Sequence, residues 1–252
     1  KILRKMEEAI FVTAEDLPET TTLIEEAYQH LIQRLVRENR QRQAAADSML
    51  EDLTSYYTLW VHQIKTPIAA MDLLLQAGPD RATEMEIELQ KIAQYVDMVL
   101  QYLRLDSTAK DLVLQRCQLD AVVRQTVRKY AKLFILKKIQ LVFQETKWEV
   151  LSDEKWLCFL LEQLLSNALK YTPEGGKISI FLEGETNLVI ADTGIGIAPE
   201  DLPRVFEKGF TGNNGRMDKK ATGIGLYLCR RVTNLLGHTI SIASEPGVGT
   251  QV

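Results

Sequence analysis

Tyr57-Thr-Leu-Trp-Val-His-Gln-Ile-Lys-Thr-Pro-Ile-Ala-Ala-Met-Asp-Leu-Leu74 carries an apolar seam at Tyr57, Trp60, Ile64, Pro67, Met71 and Leu74. The spacing alternates three and four, the period of a helix packed in a bundle. Upstream the seam continues through Leu53, Leu50 and Ala46. Pro67 lies on it, where a missing N–H predicts a kink. Gly78-Pro79-Asp80 ends the helix. A second seam follows at Met85, Leu89, Ile92, Val96, Val99 and Leu103. The short loop predicts two antiparallel helices. One apolar stripe per helix is poorly buried in a lone hairpin, so the pattern predicts a homodimer built on a four-helix bundle.

Outward from this hairpin the chain changes character twice. Residues 20–36 read as a helix entering the bundle through Leu23, Ala27, Leu31 and Leu35, and the polar residues 37–48 as a weaker, adjustable segment. Near residue 107 the helical period gives way to alternation. Expected there are strands at 112–117, 139–144, 147–151, 177–183, 187–192 and 239–244, with another beginning at Thr250. Helices are expected at 120–136, from a cap at Ser152 or Asp153 to about Lys170, and at 223–236. Residues 208–221, rich in Gly, Asn and Lys, read as a mobile loop. This order predicts an α+β sandwich with helices covering one face of a sheet. The domains expected are a linker and signalling helix at 1–44, a helical hairpin at 45–106 and the sandwich at 107–252.

Bulk properties exclude several function classes. The 252 residues are 46% hydrophobic and 25% charged, as in an ordinary folded protein. A net charge of −4 argues against nucleic acid as a partner. The basic cluster Arg34, Arg37, Arg40 and Arg42 reads as a solvated helix face or as a contact to an anionic membrane. Cys117, Cys158 and Cys229 are too scattered for a disulfide framework or a zinc site, which fits a reducing compartment. No apolar run is long enough to span a bilayer. The chain begins at Lys1, so a longer protein is expected, with a membrane anchor ahead of it.

Three elements carry chemistry. With Trp60 and Ile64 in the seam, His62 falls on the outer side of its helix. An isolated exposed histidine is usually plain surface, but a neutral imidazole on a rigid helix can attack a phosphoryl group and be reached by a second protein. His30 and His238 have no such setting. In Leu161-Glu-Gln-Leu-Leu-Ser-Asn-Ala-Leu-Lys-Tyr-Thr-Pro173, Gln163, Asn167 and Lys170 share one helical face. Amide oxygens suit Mg²⁺, and a lysine suits phosphate; a solvent-facing stripe is the plain alternative. Asp192-Thr-Gly-Ile-Gly-Ile197 follows a strand, and Thr222-Gly-Ile-Gly-Leu226 opens a helix. Glycines permit close backbone approach, and a helix N-terminus favours anions. Neither turn fits the dinucleotide fingerprint or the P-loop, which disfavours those enzymes.

Taken together and in this order, these segments resemble the bacterial sensor histidine kinases over residues ~45–252. His62 to Pro67 looks like their phosphoacceptor box, and Asn167-Ala-Leu-Lys-Tyr171 like the N box. Asp192 to Gly196 looks like the first glycine box, Phe206 and Phe210 like the F box, and Gly223 to Leu226 like the second glycine box. Gly247-Val-Gly-Thr250 matches a late Gly-x-Gly-Thr turn. The resemblance also accounts for Pro67, at the family's helix bend. It implies ATP and Mg²⁺ as cofactors and an ATP-binding fold shared with gyrase, chaperone and mismatch-repair proteins.

Carried over by residue, the resemblance makes His62 the acceptor of the γ-phosphoryl and Asn167 a Mg²⁺ ligand. Lys170 contacts phosphate and Tyr171 lies near the nucleotide. Asp192 accepts a hydrogen bond from the adenine amino group, supported by Thr250. Gly194, Gly196, Gly223 and Gly225 give the backbone room beside the nucleotide, with Leu226, Phe206 and Phe210 nearby. Residues 207–222 form the ATP lid. Thr66 orients water when phosphate is removed from a response-regulator partner.

Two residues depart from the pattern. Gln63 stands where the family has an acid; it cannot act as a base, but its oxygen can hold an imidazole N–H. Gln163 stands where the family often has asparagine, its longer amide directed at Mg²⁺ or its waters. The implied protein is a homodimer on the cytoplasmic face of the membrane, driven by an upstream transmembrane sensor segment, resembling the short-linker Gram-positive type. Hinges are expected at 37–48 and near 107. The rivals are a non-kinase ATPase of the same superfamily and an inert scaffold; the His62 hairpin argues against the first, and Asn167, Lys170 and Asp192 against the second.

Overall fold

The computed structural model describes residues 22–78, 81–107, 112–212 and 223–252. Its described residues fall into two units, one up to Leu59 and one from Trp60 onward.

Helix α1 spans Leu23–Ala77 as one continuous helix of 55 residues. The polar stretch 37–48 does not interrupt the helix: Glu, Arg, Gln and Ala are all good helix formers, and polarity lowers packing rather than helicity. Pro67 also sits inside α1 without ending it. Helix α2 spans Ala82–Ser107. The loop residues 79–80 and the expected hinge at 108–111 lie outside the described residues.

Within the second unit the two helices are tied by one residue of α2. Trp60 donates its indole N–H to the Tyr95 carbonyl at 3.0 Å, and the Tyr95 hydroxyl donates to Gln63 Oε1 at 3.2 Å. Of the seam expected on α2 only Val99 is buried; Met85 and Ile92 are half-buried, and Leu89, Val96 and Leu103 remain 56%, 38% and 41% exposed. The other buried apolar residues of α2, Ile87, Met98, Tyr102 and Leu105, lie off that seam.

The sandwich begins with strand β1 (Gln115–Gln118), helix α3 (Leu119–Leu136) and strands β2 (Gln140–Phe143) and β3 (Glu149–Ser152). Helix α4 (Glu154–Tyr171), strands β4 (Lys177–Glu183) and β5 (Asn187–Asp192), helix α5 (Gly225–Leu235), and strands β6 (Ala243–Glu245) and β7 (Gly249–Gln251) complete it. The main sheet runs β2-β4-β5-β7-β6, with β2 parallel to β4 and the other pairs antiparallel. Strands β1 and β3 form a separate antiparallel pair.

Helix α4 is the centre of this arrangement. It packs between α3 and α5 and lies over β5. Its Leu157, Leu160, Leu164, Leu165 and Ala168 are buried, as are Ile178, Ile180 and Ile190 of the sheet and Leu228 and Val232 of α5. The N-terminus of α4 is capped by Asp153, which accepts the N–H groups of Lys155 and Trp156 at 3.0 and 3.2 Å. Its other oxygen accepts the Val113 N–H at 3.0 Å, joining the approach to β1 to the same cap. A strand expected over 239–244 is reduced to Ala243–Glu245.

Candidate nucleotide site

Between α4, the turn after β5 and the start of α5 lies a cleft of about 200 Å³. Helix α4 contributes Gln163, Asn167, Lys170 and Tyr171 to its wall. Their spacing of three and four residues places them on one face of the helix. Strand β5 contributes Asp192 at its end, and β7 contributes Thr250, its direct cross-strand partner. Gly196, Phe210, Gly223, Gly225 and Leu226 of the expected set also line it.

The turn after β5 is held by backbone and side-chain bonds from three directions. Ile195 donates its N–H to the Tyr171 carbonyl at 3.3 Å. Gly247 donates to the Ile195 carbonyl at 2.9 Å. Ile197 donates to Ser244 Oγ at 2.8 Å, and Ser244 in turn lies 2.8 Å from Thr250 Oγ1. Ser244 therefore braces both the turn and Thr250, a role that no local sequence signal announces.

The glycines have a first use in the chain's own packing. Gly196 has φ +70°, and a Cβ there would run into the Glu245 carbonyl. Gly223 has φ +65°, and a Cβ would meet the backbone of Gly209 and Phe210. Gly194 is buried against the Tyr171 carbonyl and the Asp192 carboxylate, outside the cleft wall itself. Phe206 also stands off the wall, beneath the guanidinium of Arg230 at 5.2 Å. Phe210 carries the Arg204 guanidinium 4.5 Å from its ring centre.

Asp192 is the charged group best placed to read a ligand. Burial pushes its carboxyl above the usual carboxylate range, against the opposing pull of N–H groups of Gly194 and Thr250. Oδ1 accepts the Gly194 N–H at 2.8 Å. A half-buried acceptor beside apolar Ile190, Ile195 and Ile242 favours a ligand that offers an N–H donor on a flat apolar ring. Lys170 is exposed at the opposite side, its ammonium 5.1 Å from the Tyr171 ring centre, and supplies positive charge for an anion. Among the described residues no group of three or more His, Cys, Asp or Glu gathers as a metal cage. Oxygen donors suited to a hard cation at the wall include the amides of Asn167 and of the buried Gln163, beside the carboxylates of Asp192 and Asp201.

Gln94, Tyr95 and Met98 of α2 also line this cleft, an unexpected contribution from the hairpin. The Gln94 amide donates to Ser166 Oγ at 2.9 Å, next to Asn167. Lys208 donates to the Tyr102 hydroxyl at 3.2 Å.

The three residues expected to work on the hairpin stand apart from the cleft wall. His62 is exposed on the outer side of α1, as the seam required. Thr66 is exposed one turn later, with its hydroxyl directed at the His62 carbonyl at 3.4 Å. Gln63 is turned inward, and its Oε1 is occupied by the Tyr95 hydroxyl rather than by an imidazole N–H. His238 is partly buried with a ring nitrogen 3.1 Å from Ser152 Oγ, the structural place its sequence setting suggested. Of the expected lid 207–222, residues 213–222 lie outside the described residues.

The fold and cleft define an ATP-binding domain: residues 152–252 match the family of histidine kinase-, DNA gyrase B- and HSP90-like ATPases. Over most of the chain the similarity extends to sensor proteins, of which it spans about two thirds to three quarters. The sensor histidine kinase YxdK of Bacillus subtilis is 32% identical over 86% of this chain and 69% of its own length. The sensor protein BceS of the same organism is 34% identical over 99% of this chain and 75% of its own length. The histidine kinase ThkA, solved with the response regulator TrrA, aligns with a TM-score of 0.54 at 18% identity, over 93% of this chain and 66% of that one, a likeness of fold. The chain belongs to the bacterial sensor histidine kinases, the protein-histidine kinases of two-component signalling.

Proposed function

We propose that the cleft binds Mg·ATP, that the γ-phosphoryl passes to His62, and that phosphohistidine then donates it to an aspartate of a response regulator. The observation that supports this most is convergence. Asn167 and Lys170, Asp192, and Thr250, from three separate stretches of sequence, meet in one cleft of a chain that also exposes His62.

Phosphoryl transfer asks the protein mainly for position and charge. Asp192 accepts from the adenine amino group, the ring lying against Ile190, Ile195 and Ile242. Lys170 meets phosphate oxygens. Asn167 holds Mg²⁺ through its amide oxygen, with Gln163 directed at the ion or its waters. When bound, the ion would supply charge neutralisation to the phosphates. A lone pair on the His62 ring forms the N–P bond as the bond from phosphorus to the ADP oxygen breaks, and ADP leaves with the electron pair. Gln63 cannot take the ring proton; solvent does. Because His62 stands off the cleft wall, transfer requires the cleft to be brought to His62 of the same or of a partner subunit.

A partner subunit is favoured by the hairpin's surface. Val61, Ile68 and Leu75 on α1 are 38%, 45% and 62% exposed, each seven residues from the next. Leu89, Val96 and Leu103 on α2 repeat that spacing. Two rows at heptad spacing suit a second copy of the chain. Thr66, exposed one turn from His62, suits the orientation of water for removing phosphate from the regulator. No helix among the described residues is long and apolar enough to cross a membrane; we place the transmembrane sensor segment upstream, with this region on the cytoplasmic face.

Incubation with γ-labelled Mg·ATP tests the reading. It predicts an acid-labile, base-stable phosphoprotein from the wild type and none from Asn167→Ala. ATP hydrolysis without labelled protein would point instead to a plain ATPase.

A further inference from the structure

We propose that Lys137, at the end of α3, is a positioning residue that sets nucleotide affinity by fixing the C-terminal end of α4; the inference rests on the cleft being the ATP site. The last carbonyls of a helix have no partner within it. At the end of α4 the Lys137 ammonium supplies one. It donates to the carbonyls of Leu169, Lys170 and Thr172, the last two at 3.4 and 2.9 Å. A cation at this end also opposes the partial negative charge of the helix terminus. The Lys137 carbonyl accepts the Gly175 N–H at 2.9 Å, so both ends of the residue grip the chain leaving α4. Burial lowers the ammonium's pKa.

This helix end is also the seat of the site. Lys170 and Tyr171 line the cleft. The Tyr171 carbonyl receives the Ile195 N–H, and Gly194 packs on that same carbonyl. A shift of the α4 terminus therefore moves Lys170 and the turn that carries Asp192 together. Lys137 holds the last turn of α4 without itself lining the cleft. Its neighbour Lys138 makes only an exposed pair with Glu174 at 2.7 Å, and serves as an internal control.

The test uses the whole chain with Mg·ATP. Dissociation constants are measured by calorimetry for wild type, Lys137→Met, Lys137→Arg and Lys138→Met, together with KM and kcat of autophosphorylation. Lys137→Met keeps the length and removes the charge; it is expected to weaken Mg·ATP binding about tenfold, the scale of a lost charged hydrogen bond. KM should rise in step while kcat at saturation changes by less than about twofold, because the transition-state contacts themselves remain. Lys137→Arg should recover most of the affinity, and Lys138→Met should match wild type. A lower melting temperature with unchanged affinity in Lys137→Met would overturn the inference. So would a fall in kcat at constant KM. If Lys137→Met does not fold, Lys137→Gln replaces it: an affinity loss of about threefold supports the inference and wild-type affinity refutes it. Failure of the wild type to bind Mg·ATP would instead sink the reading of the cleft.

Discussion

Two carboxylates illustrate how opposite environments give opposite pH behaviour. Burial lifts Asp192 above the ordinary carboxylate range, so ionisation is harder in the folded chain than in the unfolded one. Its destabilising effect grows as pH rises through the unfolded value and is full above the folded one. Asp192→Asn, which keeps an oxygen for the Gly194 N–H, should therefore raise or leave unchanged the apo melting temperature at pH 7. The difference should close near pH 4, while Mg·ATP affinity falls at least about tenfold. Thermal scans and calorimetry check both halves, and an apo protein clearly less stable at pH 7 would count against this account.

Asp120 behaves the other way. Desolvation pushes its pKa up, but the N–H groups of Thr146 and Lys147, the Thr146 hydroxyl and Arg124 outweigh it, and the net shift is downward. Its stabilisation is present above the unfolded pKa and is lost as pH falls through the folded one. Asp120→Asn should lower the melting temperature at pH 7 and cease to matter in acid. A third test at this scale is Gly196→Ala. A positive φ and a blocked Cβ position predict a loss on the order of 1–3 kcal/mol, read by denaturant unfolding.

The elements differ in how far the sequence foretells them. Strands β4 and β5 fall at 177–183 and 187–192, as the alternation around a short turn indicated. Helix α4 was legible from its cap and apolar face. Asp153→Ala should cost about 1–2 kcal/mol by thermal unfolding, since it removes the cap and the Val113 tie together. The helical character of α1 was legible on both sides of 37–48, where a polar stretch marks weak packing and not a break. The parallel pairing of β2 with β4 was not legible, because it depends on contacts across 37 residues, from Gln140 to Lys177, and leaves no mark in either strand. The cleft residues found from sequence carry local motifs. Ser244, Lys137, Gln94 and Tyr95 act through distant partners, and nothing beside them in sequence marks them.

At the scale of the molecule, helix α2 and the ATP cleft belong to one unit, with Gln94, Tyr95 and Met98 in the cleft wall. The open heptad rows carry the expectation of a dimer. The double substitution Val96→Asp and Leu103→Asp should give a monomer by light scattering, and a dimer that persists would remove those rows from the interface. Phosphoryl transfer to an exposed imidazole is the claim on which everything larger depends. The direct measurement is site-mapped label after exposure to γ-labelled Mg·ATP, in wild type and His62→Gln. The account predicts acid-labile phosphate on residue 62 of the wild type and no label in His62→Gln; label retained by the variant, or mapped to another residue, would contradict it.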